Sequence, residues 1–185
     1  MKTIVWDNDD TINNFRLDWF NSLDNNLSYP EVFSVRKPHE ILKLTKSELT
    51  KSMIGFKKEN FKDITISNNI INWFNIYGDC YNHIVLTSLS REVFHESIWS
   101  SIYFLGRWLH SYNFVTLNKD SDINEFITKG EFIVRHLKDI DIFIDDNEEN
   151  CKEINRLGIQ SFCVKQPWNE GLGMDTILKK LVELI

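Results

Sequence analysis

Four short clusters of this chain carry side chains that could do chemistry together. Asp7-Asn8-Asp9-Asp10-Thr11 puts three carboxylates and a hydroxyl within five positions. Thr87-Ser88 offers two hydroxyls, Thr128-Lys129 a hydroxyl and an ammonium, and Asp145-Asp146 two further carboxylates. Taken singly, each has an ordinary explanation as a turn, a helix cap or a solvated lysine. Gathered at one sheet edge, the five carboxylates would repel one another and raise their own pKa values unless cations neutralised them. A divalent metal with oxygen ligands, Mg²⁺ foremost, is the economical answer. Lys129 points the same way. If Thr128 is an N-cap, Lys129 stands in the first helical turn, where the helix dipole disfavours a cation by about 0.3–1 kcal/mol. Facing carboxylates or a phosphate would explain it; simple exposure would too.

The elements that must position these residues are legible from their apolar runs. Thr3–Trp6, His83–Leu86, Phe114–Leu117, Ile140–Ile144 and Ser161–Val164 are rich in Ile, Val and Phe and lack polar alternation, as parallel strands covered on both faces should be. Helical patterns separate them at Asn68–Tyr77, Arg91–His110, Lys129–Leu137, Asn147–Leu157 and Met174–Leu184. The alternation predicts an α/β fold with a parallel sheet. Three of the clusters then fall directly after strands one, two and four, and ligands bind at the carboxyl ends of strands in such sheets. Thr128-x-x-Glu131 and Asp146-x-x-Glu149 read as capping boxes, and Gly158 as a helix stop.

One interval breaks the rhythm. About 75 residues separate strands one and two, too many for a single crossover helix. Residues 13–65 read as two to four short helices, with Phe15, Trp19, Phe20 and Leu23 forming an apolar stripe, Pro38 opening a segment and Thr45-x-x-Glu48 capping another. This predicts a small helical cap (13–65) inserted into a core made of 1–12 and 66–185. Between Glu31 and Asp63 eight basic residues face five acidic ones, whereas the whole chain carries −6. That stretch is either a solvated helical face or a positive lid that draws an anionic substrate to a cleft.

Composition sets further bounds. At 185 residues and 42% hydrophobic content the chain can build one ordinary core. The net charge argues against a nucleic-acid polymer as partner, and no apolar run approaches a membrane span. The N-terminus lacks the apolar length of a signal peptide, so a cytoplasmic location is expected. Cys80, Cys151 and Cys163 show no metal-ligand spacing and are expected to be reduced, buried thiols. The histidines, His39, His83, His95, His110 and His136, show no ligand spacing either. Composition is silent on oligomeric state.

The order strand-Asp-x-Asp-x-Thr, strand-Thr/Ser, Lys, strand-Asp-Asp resembles the four motifs of the haloacid dehalogenase (HAD) superfamily. They stand here as Ile4-Val5-Trp6-Asp7-Asn8-Asp9-Asp10-Thr11, Ile84-Val85-Leu86-Thr87-Ser88, Lys129 and Ile142-Phe143-Ile144-Asp145-Asp146. Lys119 and Lys138 compete for the lysine role. Lys129 is preferred because the family's lysine opens the helix before strand four. Phe143 to Asp146, with Asn150 and Leu157-Gly158-Ile159, is similar to small magnesium-dependent phosphatases. Phe61 to Ser88, with Gln166-Pro167-Trp168-Asn169, resembles 5′-deoxyribonucleotidases, which however often carry Arg where this chain has Asn147. Receiver domains also combine acids, Thr/Ser and Lys, but their phosphoacceptor follows strand three, and here Asn118-Lys119-Asp120 follows it.

The resemblance implies a Rossmann-like three-layer sandwich with a five-stranded parallel sheet, and a Mg²⁺-dependent phosphatase acting on a small-molecule phosphate ester. Asp7 would be the nucleophile and Asp9 the acid and base. Asp7, the Asp9 carbonyl and Asp146 would hold Mg²⁺, with Asp145 behind them. Thr87, Ser88 and Lys129 would bind the phosphoryl group, Thr11 would join them as a substrate-binding residue and brace the loop after the nucleophile, and Asn150 would orient a metal-bound water. A nucleoside monophosphate is the first substrate to test, because Phe15, Trp19, Phe20, Tyr29, Phe33 and Phe56 could stack on a base, although their helical spacing favours core packing. Sugar phosphates, phosphoproteins and a binding role without turnover are the alternatives.

Overall fold

A computed structural model describes residues 1–34, 37–116 and 128–185. Its centre is a five-stranded parallel sheet: β1 (Lys2–Trp6), β2 (Tyr81–Leu89), β3 (Leu109–Thr116), β4 (Ile142–Asp145) and β5 (Gln160–Cys163), ordered β3-β2-β1-β4-β5. The two-residue period of the strands sorts their side chains into two cores. Ile4, Trp6, Ile142 and Ile144 pack against α5 (Asn68–Tyr77) and α9 (Met174–Glu183). Val5, Leu86, Val115 and Phe143 pack on the other face, against α7 (Lys129–His136) and α8 (Glu148–Arg156). The result is the three-layer α/β sandwich. Strand order reverses between β1 and β4, so the crevice at their carboxyl ends is the expected ligand site.

Segment 13–65 contains α1 (Phe15–Asn21), α2 (Tyr29–Phe33), α3 (Pro38–Ile41) and α4 (Lys46–Asn60). They close over a hydrophobic cluster of their own, made of Phe15, Trp19, Phe20, Val32, Phe33 and Ile64. Thr45 and Glu48 form the capping box that opens α4, and Thr128 and Glu131 form the one that opens α7. Among the described residues no helix is long and apolar enough to cross a membrane.

Three local expectations need correction. The helix read as Arg91–His110 is a 3-10 turn followed by α6 (Phe94–Leu105), which stops at Gly106, and β3 begins at Leu109 rather than Phe114. β3 is an edge strand with half-buried residues from Ser111 to Phe114, so it lacks the apolar run that marked the inner strands. Its expected last residue, Leu117, lies outside the described residues. The N-cap of α8 is Asn147, not Asp146: the Asn147 side-chain oxygen accepts the amides of Glu149 (2.9 Å) and Asn150 (3.4 Å). Asn147 thereby leaves the Asp146 carboxylate to other work. Finally, the three cysteines are free thiols, but only Cys151 is buried; Cys80 is exposed and Cys163 half-buried. Gly158, with φ +82°, ends α8 in the left-handed conformation that glycine adopts without strain.

His83 shows why β2 carries a histidine in a fully buried position. It accepts from Trp6 Nε1 at Nδ1 (3.1 Å) and donates from Nε2 to the Gly78 carbonyl (3.0 Å). Burial holds its pKa down at about 4, so it stays neutral.

Candidate active site

The first loop is locked in place before any ligand arrives. The Asp7 amide donates to Ile144 O (2.8 Å), which ties the end of β1 to the end of β4. Asn8 is fully buried and donates to Ser97 O (3.0 Å), while Ser101 Oγ donates to Asn8 Oδ1, so the loop is riveted to α6. Asp10 takes φ 62°, a conformation that bends the chain out of the strand at once. Asp10 accepts from the Arg16 amide (2.8 Å), and Gln166 Nε2 donates to its carbonyl (2.6 Å). Beyond β5, Asn169 Nδ2 donates to Asp146 O (2.6 Å) and Val164 O (2.8 Å). The 166–169 segment therefore fastens the first and fourth loops together.

These ties bring Asp7, Asp9, Thr87, Ser88, Lys129, Asp145, Asp146 and Asn150 to the wall of one cavity of about 560 Å³. Lys129 Nζ donates to Asp7 Oδ1 (2.6 Å) and Asp145 Oδ2 (2.7 Å), with its side chain 2% exposed. Burial alone would push its pKa down; Asp145 and Asp7 more than offset this and hold it above the usual lysine value. Of the competing lysines, Lys138 is exposed and Lys119 lies outside the described residues. Thr87 and Ser88 lie within β2, which runs on to Leu89, rather than just past its end. Thr11 does not line the cavity; it is buried, its amide donates to Asn8 O (3.4 Å), and its Oγ1 has no partner among the described residues. The Thr11 side chain is thus off the wall of this cavity.

The carboxylates divide by what already holds them. Asp145 is fully engaged: Oδ1 accepts from the Asn147 amide (2.7 Å), and Oδ2 from Lys129 and Asn150 Nδ2 (3.0 Å). The Asp146 carboxylate accepts no hydrogen bond among the described residues. Oxygen atoms of Asp7, Asp145 and Asp146 lie within 4.8 Å of one another. Burial pushes Asp7 up to about 7 against the pull of Lys129, with Asp145 and Asp9 adding to the rise. Asp146 is pushed well above the ordinary carboxylate range by burial and by Asp7 and Asp145. Around the cavity five carboxylates (Asp7, Asp9, Asp10, Asp145, Asp146) meet three cations (Arg16, Lys57, Lys129). With all five ionised the excess is two negative charges on hard oxygen donors, which fits one divalent cation of the Mg²⁺ type.

Sequence reasoning missed two cationic residues here. Arg16 pairs with Asp10 (3.5 Å) and lies 4.2 Å from the ring centroid of Trp168. Lys57, from α4, reaches across the cavity to Asp9 Oδ2. Nothing in the spacing of either residue marks it. The aromatics of the cap follow the packing alternative: Trp19, Phe20 and Phe33 are core, Tyr29 and Phe56 pack against that core, and among these rings only Phe15 lines the cavity.

No sequence-family profile and no curated protein sequence matches the chain. Solved structures do. A proposed β-phosphoglucomutase of Thermotoga maritima is 13% identical over 100% of both chains, with a TM-score of 0.65. A haloacid dehalogenase-like hydrolase, SP0104, of Streptococcus pneumoniae is 13% identical over 97% of this chain and 90% of its own, with a TM-score of 0.62. The proposed HAD-hydrolase YfnB of Bacillus subtilis, solved with magnesium bound, is 13% identical over 99% and 97%, with a TM-score of 0.58. This chain has the fold of those proteins.

Proposed function

We propose that this chain, folded as HAD-superfamily hydrolases are, is a magnesium-dependent phosphatase that hydrolyses small phosphate monoesters through an aspartyl-phosphate. The carrying observation is the placement of Asp7 and Asp9 in one cavity, with Asp7 held by a buried lysine and flanked by the free carboxylate of Asp146. Asp7 and Asp146, with the Asp9 carbonyl, would hold Mg²⁺, and Asp145 would fix Lys129 and the loop behind it. The metal would supply positive charge that keeps Asp7 ionised and offsets charge on the phosphoryl oxygens.

The chain's own groups then divide the work. An Asp7 carboxylate oxygen attacks phosphorus, and the bond from phosphorus to the ester oxygen breaks. Asp9 gives its proton to the departing oxygen. Asp9 then takes a proton from the water that attacks the aspartyl-phosphate, which releases phosphate and restores Asp7. Lys129 and Thr87 border the region where the three equatorial oxygens spread their charge. Because α4 contributes Thr50, Met53, Ile54 and Lys57 to the wall, the cavity suits a small molecule better than a folded phosphoprotein.

A panel of phosphate esters, nucleoside monophosphates among them, assayed with Mg²⁺ and with chelator, tests the reading. Turnover that requires metal and disappears in Asp7→Asn is expected. Binding of esters without turnover of any of them would favour the non-catalytic alternative.

A further inference from the structure

Of the seven lysines between residues 31 and 63, one behaves unlike the rest. Lys37 pairs with Glu40 and Lys58 with Glu92 in exposed contacts, as a solvated face would. Lys57 is 3% exposed and lines the cavity, its ammonium on Asp9 Oδ2 and 3.9 Å from the ring centroid of Phe15. The other Asp9 oxygen, Oδ1, accepts from Asn8 Nδ2 (3.1 Å) and Asn13 Nδ2 (3.3 Å). Both oxygens of Asp9 are thus occupied, and of these contacts only the one with Lys57 comes from a helix of the cap.

If the phosphatase reading above holds, Asp7 meets phosphorus and the ester oxygen leaves toward Asp9. The rest of the alcohol must then lie beyond Asp9, where Lys57 supplies charge beside the Phe15 ring, in a cavity whose wall also holds Met53, Ile54 and Val93. The other two cations of the cavity are already engaged, Arg16 with Asp10 and Lys129 with Asp7 and Asp145. For Asp9 to reach the ester oxygen it must let go of Lys57. A buried ammonium left without an anion is costly, so the exchange is favoured when the substrate supplies a replacement.

From this placement, and resting on that reading, we infer that Lys57 is the specificity-determining residue of the cap. It selects phosphate monoesters whose alcohol carries a second anionic group, carboxylate or phosphate, close to the ester oxygen. In the absence of such a ligand, the same lysine occupies Asp9 and keeps it from working on other esters.

The test uses a matched series: ethylene glycol monophosphate, phosphoglycolate and ethylene glycol bisphosphate. Binding to the full-length protein with Mg²⁺ is measured by calorimetry for wild type, Lys57→Met and Lys57→Arg, with turnover followed in parallel. Wild type should bind one or both of the doubly anionic esters at least tenfold more tightly than the neutral-alcohol ester. The member preferred tells carboxylate from phosphate. Lys57→Met should lose the preference and Lys57→Arg keep most of it. Equal affinity of wild type across the series overturns the assignment, whatever happens to the variants. A preference that survives in folded Lys57→Met overturns it as well. The two readings fail separately: a Lys57-dependent binding preference with no turnover would refute the phosphatase and uphold the selectivity, whereas turnover without any preference would do the reverse.

Discussion

Lys129 Nζ lies 2.6 Å from Asp7 Oδ1, across 122 positions of sequence, with both side chains buried. Asp145 holds the same ammonium at 2.7 Å, so one cation serves two buried carboxylates. Removing one partner of a buried ion pair leaves the other charges uncompensated, at a cost of about 3–5 kcal/mol. Lys129→Met is therefore expected to lose stability of that order in urea unfolding with chelator present. Lys138→Met, at an exposed position, should stay within about 0.5 kcal/mol of wild type. Equal losses in the two variants would contradict the pairing.

The excess of two negative charges around the cavity predicts that a divalent cation stabilises the fold. Mg²⁺ at a hundredfold its Kd should raise unfolding free energy by about 2.7 kcal/mol. Asp146→Asn removes the carboxylate that accepts no hydrogen bond among the described residues, and should abolish most of this gain while leaving the apo protein folded. A thermal midpoint that ignores Mg²⁺ in wild type would refute the site.

Asp7→Asn should lower turnover on the order of a thousandfold or more, as removal of a nucleophile does. Asp9→Asn should lower it by roughly 10²–10⁴ for esters of ordinary alcohols, which need a proton on departure. For p-nitrophenyl phosphate, whose leaving group needs none, the first step should suffer much less and acid-quenched phosphoprotein should accumulate. Identical losses for both ester types would deny Asp9 the acid role.

His83 supplies a pH prediction independent of the active site. Its folded pKa of about 4 lies below the ordinary 6.5, so between those values the unfolded chain binds the extra proton. Stability contributed by neutral His83 is then complete above pH 6.5 and is lost as pH falls toward about 4. The full window corresponds to about 3 kcal/mol. His83→Phe, though less stable at neutral pH, should lose stability less steeply than wild type over that window in urea titrations. Parallel curves would show that His83 does not carry the effect.

The parts of this molecule that were readable in advance are those whose signal is local. Strand burial on both faces writes itself as short apolar runs, and the aspartates that close β1 and β4 follow those runs directly. Capping at Thr45 and Thr128 depends on residues three apart, and so was visible too. Of the edge strand β3 only the carboxyl end was read, because its residues 111–114 are half-buried and carry no apolar run. Asp146 looked like a cap, and only the backbone path showed that Asn147 takes that place. Lys129 and Lys138, and Lys57 and its neighbouring lysines, differ in where they lie in space; Lys119 lies outside the described residues. Lys129 and Lys138 are nine positions apart and opposite in burial, and Lys57 is one among several similar lysines until α4 carries it to Asp9. Periodicity and caps follow from neighbours along the chain. An ion pair between residues 9 and 57, or 7 and 129, depends on how layers stack, and stacking is settled only when every buried face finds its partner.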